Sequence, residues 1–153
     1  MARAGLGGRA VAGFLAGALA VVTFHQVTIL LLSMAGALPQ GAAYATRPIP
    51  PLGVPQVLNL AFWGGVWGIV YALLVDGRRV GALPPLVVGF LFGAVLPTLF
   101  GWFVIPALKG AAGGFPPPSR IWIGPLVNGV WGLGTALFLA WLAPRLVRSR
   151  RLG

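Results

Sequence analysis

Charged residues divide this chain into four long stretches that contain no Asp, Glu, Lys or Arg. The stretches are residues 10–46, 48–75, 80–108 and 121–144, and they are 37, 28, 29 and 24 residues long. Each exceeds the ~20 residues that a helix needs to cross the hydrocarbon core of a bilayer. Because polar and apolar residues do not alternate within them, they favour helices over the strands of a membrane barrel.

The pattern therefore predicts an all-α fold, a single integral membrane domain over residues 1–153 that forms a four-helix bundle. We expect its helices near residues 10–36, 57–75, 81–107 and 121–143. Composition agrees, since 58% of the residues are hydrophobic, only 8% are charged and the mean hydropathy is +0.93. Soluble domains are closer to a quarter charged, so this chain cannot cover a water-facing surface.

The cations indicate how the helices are oriented. Three of them fall in the segments that join helices one to two and three to four, namely Arg47, Lys109 and Arg120. Eight fall at the two termini and in the short turn between helices two and three, namely Arg3, Arg9, Arg78, Arg79, Arg145, Arg148, Arg150 and Arg151. The positive-inside rule then predicts a multi-pass protein of the bacterial inner membrane with both termini in the cytoplasm.

The same distribution argues against a nucleic-acid partner, although the net charge is +10. The basic residues flank apolar runs and do not line a polar face with interleaved aromatic residues. Arg145, Arg148, Arg150 and Arg151 form a cluster beside the membrane that we expect to contact anionic lipid headgroups. The alternative is that the cluster only determines topology.

Helix one has an alternative interpretation as a secretory signal peptide. Arg3 and Arg9 provide a basic start, and Ala35-Gly36-Ala37 provides a small-residue cleavage site. However, the apolar stretch before that site is about twice the usual length of the apolar h-region of a signal peptide. We therefore favour a retained helix; cleavage would leave three spans.

Short sequence matches indicate that the chain is built from two similar hairpins, residues 10–75 and 81–143. Gly13–Ala18 resembles Gly89–Ala94, and Gly65-Val66-Trp67-Gly68 resembles Gly129-Val130-Trp131-Gly132, in the same order. Chance matching among Gly, Ala and Leu is the alternative explanation. Because both hairpins start on the same side, a repeat of this kind relates them by an axis along the membrane normal.

Small residues recur at a spacing of four along the predicted helices, which is typical of close helix packing in membranes. The predicted packing positions are Gly13, Gly17, Gly64, Gly68, Gly89, Gly93 and Gly132. Pro97 lies inside helix three and should kink it and free the carbonyl one turn earlier.

The chain has little catalytic chemistry. It has no Cys, one acidic residue, Asp76, and one histidine, His25. General acid–base catalysis usually needs two tuned groups close together. We therefore predict a non-enzymatic protein, with no catalytic residue, metal or cofactor.

Four polar residues inside the apolar runs are candidates for a functional site: His25, Gln26, Asn59 and Asn128. Their predicted depths place them in the outer half of the bundle, where they could form a polar pocket. Polar residues inside a membrane are functional candidates by default, but interhelical hydrogen bonds that fix the packing are the simpler explanation. His25 is also a weak candidate for an axial ligand of haem or a chlorin.

The motifs Phe14-Leu15-Ala16-Gly17, Thr23-Phe24-His25-Gln26, Phe62-Trp63-Gly64-Gly65 and Leu126-Val127-Asn128-Gly129 carry a resemblance over most of the chain. Together they resemble a family of small four-span bacterial inner-membrane proteins to which no activity is assigned. In its paired hairpins the chain is also loosely similar to the YagU-like proteins. The resemblance implies fold and location, not a mechanism.

The sequence thus favours a protein that acts through helix packing, as an accessory subunit of a larger membrane complex or as a homo-oligomer. Its expected partners are the lipid bilayer and other membrane subunits or a second copy of itself. A small carrier or channel for a neutral or anionic solute, using the outer polar pocket, is the first alternative. Cofactor binding through His25 is the second.

Overall fold

A computed structural model describes residues 5–75 and 83–149 of the chain. Its four long helices are α1 (Leu6–Met34), α2 (Gln56–Leu74), α3 (Pro85–Leu108) and α4 (Ile123–Ser149). Each is long and apolar enough to cross a membrane. The prediction of a mostly helical chain with four membrane-length helices is confirmed.

Two of the four helices contain a π-helical turn. In α1 it covers Val21–His25, and in α3 it covers Phe100–Val104. Such turns are rare, and they interrupt the regular pattern of backbone hydrogen bonds within a helix. Each lies in the second half of its helix, which leads into a long connection. Carbonyls of both turns accept hydrogen bonds from the connection that follows.

The helix ends differ from the predicted ones by a few residues. Helix α1 begins at Leu6, because the charged Arg9 is accommodated: its guanidinium donates to the carbonyl of Ala72 in α2. Helix α3 begins at Pro85, since proline is preorganised for a first helical position. Helix α4 continues past Arg145 and Arg148 to Ser149. Arg3, Asp76, Arg78, Arg79, Arg150 and Arg151 lie outside the described residues.

The α1–α2 loop, residues 35–55, contains a small hairpin that the sequence pattern did not predict. Strand β1 (Pro48–Ile49) pairs antiparallel with β2 (Val54–Pro55), with Ile49 opposite Val54. Gly53 turns the chain with a φ of +67°, a conformation that only glycine adopts without strain. The backbone N–H of Gln56, the first residue of α2, donates to the carbonyl of Arg47 at 3.0 Å.

Helices α1 and α2 touch backbone to backbone. A Cβ built on Gly13 would lie 2.5 Å from the carbonyl oxygen of Gly68, and one built on Gly17 would clash with the carbonyl of Gly64. The contacts are reciprocal, and they show that the two helices run antiparallel. No side chain larger than hydrogen fits at these positions without a shift of the backbone.

Helices α3 and α4 touch in the same way. A Cβ on Gly89 would lie 2.6 Å from the carbonyl oxygen of Gly132, and one on Gly93 would clash with the carbonyl of Asn128. Aromatic rings also occupy corresponding places. Phe14 would lie 2.6 Å from a Cβ on Gly65, and Phe90 would lie 2.6 Å from a Cβ on Gly129.

Helix α1 also packs along α4 and so joins the two helix pairs. The buried indole N–H of Trp131 donates to the carbonyl of Gly17 at 2.9 Å. Phe24 packs on Gly134 and makes an edge contact with the Phe138 ring, with centroids 5.9 Å apart. Ala16 is completely buried in this region, so the core lies along α1.

We expect Gly68→Leu and Gly132→Leu to lower the free energy of unfolding by about 2 kcal/mol or more, because overpacking a closely packed contact costs about that much. The measurement is thermal or denaturant unfolding in detergent, followed by tryptophan fluorescence. Gly101→Leu is the matched control, because nothing lies within 4 Å of a Cβ at Gly101. Equal stability of all three variants would contradict the close contact.

Candidate functional site

Gln26 is the most buried of the predicted polar residues, with 1% of its surface exposed. It follows directly on the π-helical turn of α1, and its side chain points into the protein. Its Oε1 accepts the backbone N–H of Tyr44 at 2.6 Å, and its Nε2 lies 3.3 Å from Nδ1 of His25. The Gln26 amide therefore joins α1 to the α1–α2 loop and to its neighbour in sequence.

These contacts determine the proton position on His25. The Tyr44 N–H is a donor, so it fixes the Gln26 oxygen on its side and leaves the amide N–H₂ facing the imidazole. An amide N–H donates, so Nδ1 of His25 accepts, and a neutral ring carries its proton on Nε2. His25 is half-buried, and Nε2 is the ring nitrogen left for any other interaction.

Tyr44 holds the loop on α1 a second time. Its hydroxyl donates at 2.9 Å to the carbonyl of Val22, inside the π-helical turn. Tyr44 has a φ of 51°, which is uncommon for a residue with a side chain and is sustained only where the surroundings fix it. Two hydrogen bonds of Tyr44 therefore hold this part of the loop on α1.

The π-helical turn of α3 receives a similar bond from the connection that follows it. The backbone N–H of Gly114 donates to the carbonyl of Trp102 at 3.0 Å. A Cβ on Gly113 would lie 2.7 Å from the Cα of Phe103. In both hairpins, the segment after the helix folds back onto the carbonyls of its π-helical turn.

Asn128 belongs to a separate polar group between α3 and α4. Its Nδ2 donates to Oγ1 of Thr98 at 2.9 Å, and the Thr98 hydroxyl donates to the carbonyl of Gly93 at 3.4 Å. Gly93 is four residues before Pro97, which has no N–H to give. Thr98, supported by Asn128, thus serves the carbonyl that Pro97 leaves free.

Asn59 takes part in neither group. It is half-buried near the start of α2, and no hydrogen bond to its side chain occurs within the described ranges 5–75 and 83–149. In those ranges, no hydrogen bond links His25 and Gln26 to Asn128. Of the four predicted site residues, His25 and Gln26 therefore form a hydrogen-bonded pair, whereas Asn59 and Asn128 are not hydrogen-bonded to that pair or to each other.

A groove of about 570 Å³, open to solvent, lies on the α1–α2 loop. Two of its lining residues are joined by a hydrogen bond, in which the guanidinium Nε of Arg47 donates to Oε1 of Gln56. The residues that line it are Pro39, Gln40, Gly41, Ala42, Ala43, Tyr44, Ala45, Thr46, Arg47 and Gln56.

Sequence reasoning missed Tyr44 and the pairing of Arg47 with Gln56. Tyr44 lies in a loop, and nothing in the sequence gives its positive φ or its partner 22 residues earlier. Gln56 could have been singled out because it directly follows Pro55 at the predicted start of helix two, in a connection whose only cation is Arg47.

Buried polar side chains in the described part of the chain are satisfied internally. No buried side-chain nitrogen or oxygen there is left without a hydrogen-bond partner, and no group of three His, Cys, Asp or Glu residues there could hold a metal ion. For an axial ligand the chain offers one imidazole, His25, whose Nδ1 faces the Gln26 amide and whose Nε2 carries the proton in this arrangement. The arrangement is that of polar residues that hold helices and loops together.

Comparison of the chain with family models, with curated proteins and with solved structures gave no match.

We expect Gln26→Met to speed hydrogen exchange at the Tyr44 amide at least tenfold, because the substitution removes its acceptor and retains the apolar volume. The measurement is hydrogen–deuterium exchange of peptides covering residues 35–47. Thr23→Val is the control, because the Thr23 hydroxyl donates only within α1, to Leu19 at 2.7 Å. Equal protection in wild type and Gln26→Met would show that the bond does not hold the loop.

Proposed function

We propose that this chain is a non-enzymatic protein of the bacterial inner membrane that acts through helix packing, as an accessory subunit of a larger membrane complex or as a homo-oligomer. The proposal includes a four-helix bundle of two similar hairpins, with both termini in the cytoplasm. The α1–α2 loop and its groove then face the periplasm. The likeness to small four-span inner-membrane proteins remains a prediction.

One observation carries the structural role. The largest fully buried polar side chain, Gln26, uses both ends of its amide inside the chain, and Thr98 with Asn128 satisfies a backbone carbonyl. A transport pathway or cofactor pocket needs polar groups that are left for a ligand. Because these groups are already paired, they support interhelical and loop-fixing roles over transport.

Two matched sets of contacts support the duplication. Gly13 of α1 contacts Gly68 of α2, and in the second hairpin Gly89 of α3 contacts Gly132 of α4 in the same way. The carbonyl that closes on Gly17 belongs to Gly64, and the one that closes on Gly93 belongs to Asn128. A chance likeness of short glycine motifs would not require the same pairing in both hairpins, so these contacts favour a common origin.

The closely packed glycine residues do not provide the contact with a partner, since they already contact the neighbouring helix of the same chain. A partner must use apolar side chains on the lipid-facing surface. Phe62 and Trp63 on α2 are 54% and 49% exposed and stack edge to face, with ring centroids 5.5 Å apart. Large aromatic residues of this kind dominate interface energetics, so we place the assembly surface around this pair.

The chain's lack of Cys makes its orientation directly measurable. We expect Thr46→Cys, in the α1–α2 loop, to react with a membrane-impermeant maleimide in intact spheroplasts. We expect Ser149→Cys, at the end of α4, to react only after permeabilisation, because the positive-inside rule places it in the cytoplasm. Cys-free wild type is the blank, and labelling of Ser149→Cys in intact spheroplasts would overturn the proposed topology.

Assembly is tested on full-length protein extracted from its own membrane in mild detergent. We expect a native mass well above the 15.9 kDa monomer, and loss of the larger species in a Phe62→Ala, Trp63→Ala double variant. Leu91→Ala is the control, because Leu91 is 46% exposed on α3 and lies outside the proposed surface. A monomeric wild type refutes the assembly role, as does solute flux in liposomes or a visible absorption band that disappears in His25→Ala.

A further inference from the structure

We propose that the groove on the α1–α2 loop is a binding site for a phosphate group, with Arg47 as its main contact and Gln56 as the residue that positions it. The inference rests on the groove, on its rigid construction and on the charge of Arg47. It does not depend on the proposed role in assembly.

The groove is held in shape from several sides. Tyr44, which lines it, is bound through its backbone N–H to the buried Gln26 and through its hydroxyl to the carbonyl of Val22. The backbone N–H groups of Gln56 and Val57 donate to carbonyls of the loop at 3.0 Å. A site built on such a fixed backbone loses little entropy when it orders around a ligand.

Arg47 is held in the groove but retains donors for a ligand. Its Nε donates to Oε1 of Gln56, which fixes the plane of the guanidinium. The side chain is exposed, and the terminal nitrogens of the guanidinium remain as donors. This fork of N–H groups matches the oxygens of a phosphate, which arginine binds by paired, charge-assisted hydrogen bonds.

No acidic residue occurs in the described ranges 5–75 and 83–149, so Arg47 has no carboxylate side chain to pair with there. The chain has one acidic residue, Asp76, and it follows the opposite end of α2 in sequence. The groove therefore presents a positive charge that is available to an external anion.

The position of the groove indicates two sources of phosphate. It lies on the loop between two membrane-length helices, at the level where lipid headgroups meet water. A phosphate there belongs to an anionic phospholipid or to a soluble phosphate compound. The chemistry of recognition is the same, and the experiment separates the sources.

The test uses full-length protein in mild detergent and two probes, phosphatidylglycerol and inorganic phosphate. Native mass spectrometry counts retained phosphatidylglycerol, and thermal unfolding measures stabilisation by either probe. We expect Arg47→Gln to weaken binding about tenfold, since a hydrogen bond to a charged group contributes roughly that factor. Arg47→Lys, which keeps the charge and loses the fork, should fall between Arg47→Gln and wild type.

Arg120→Gln is the matched control, because Arg120 is an exposed cation in the α3–α4 connection and does not line the groove. Selective loss of phosphatidylglycerol in Arg47→Gln, without competition by inorganic phosphate, supports a lipid headgroup. Selective loss of stabilisation by inorganic phosphate supports a soluble ligand. Equal binding of both probes by wild type and Arg47→Gln, or equal losses in Arg47→Gln and Arg120→Gln, overturns the proposal.

Discussion

Carbonyl oxygens of one helix rest against glycine residues of its neighbour in both helix pairs of this chain. Gly13 and Gly17 of α1 meet Gly68 and Gly64 of α2 so closely that no Cβ fits. In lipid the hydrophobic effect gives little drive for two apolar helices to associate, so van der Waals contact at short range must supply it. The rest of the structure depends on this approach, because the positions of the polar groups follow from it.

The close approach explains how the few polar residues are used. Trp131 can donate to the carbonyl of Gly17 because α1 presents a backbone free of side chains there. Asn128 contacts Gly93 through its carbonyl as Gly64 contacts Gly17, and its side-chain amide donates to Thr98. In a medium without water every exposed backbone carbonyl costs free energy, so these side chains stabilise the backbone that glycine and proline leave exposed.

Much of this arrangement could be predicted from the sequence, because membrane crossing is governed by length and hydropathy. The four runs without charge located the four helices, and the lack of N–H on Pro97 predicted the free carbonyl at Gly93. The partners of that carbonyl were not predictable, since the reach of Thr98 and Asn128 depends on how two helices face each other. The internal repeat and the cytoplasmic location of both termini remain predictions.

The candidate site was less predictable than the helices for a physical reason. The position of each residue along its helix predicted that His25, Asn59 and Asn128 all lie in the outer half of the bundle. Depth does not determine the rotation of a helix about its axis, and that rotation decides which side chains face each other. The hydrogen bonds of His25 and Asn128 are with different neighbours. Tyr44 was missed because its loop conformation depends on contacts with the buried Gln26 and with the π-helical turn of α1, which its own position in the sequence does not indicate. A buried amide in α1 thus holds Tyr44, which lines the surface groove, so a buried side chain helps to shape a surface that it does not itself line.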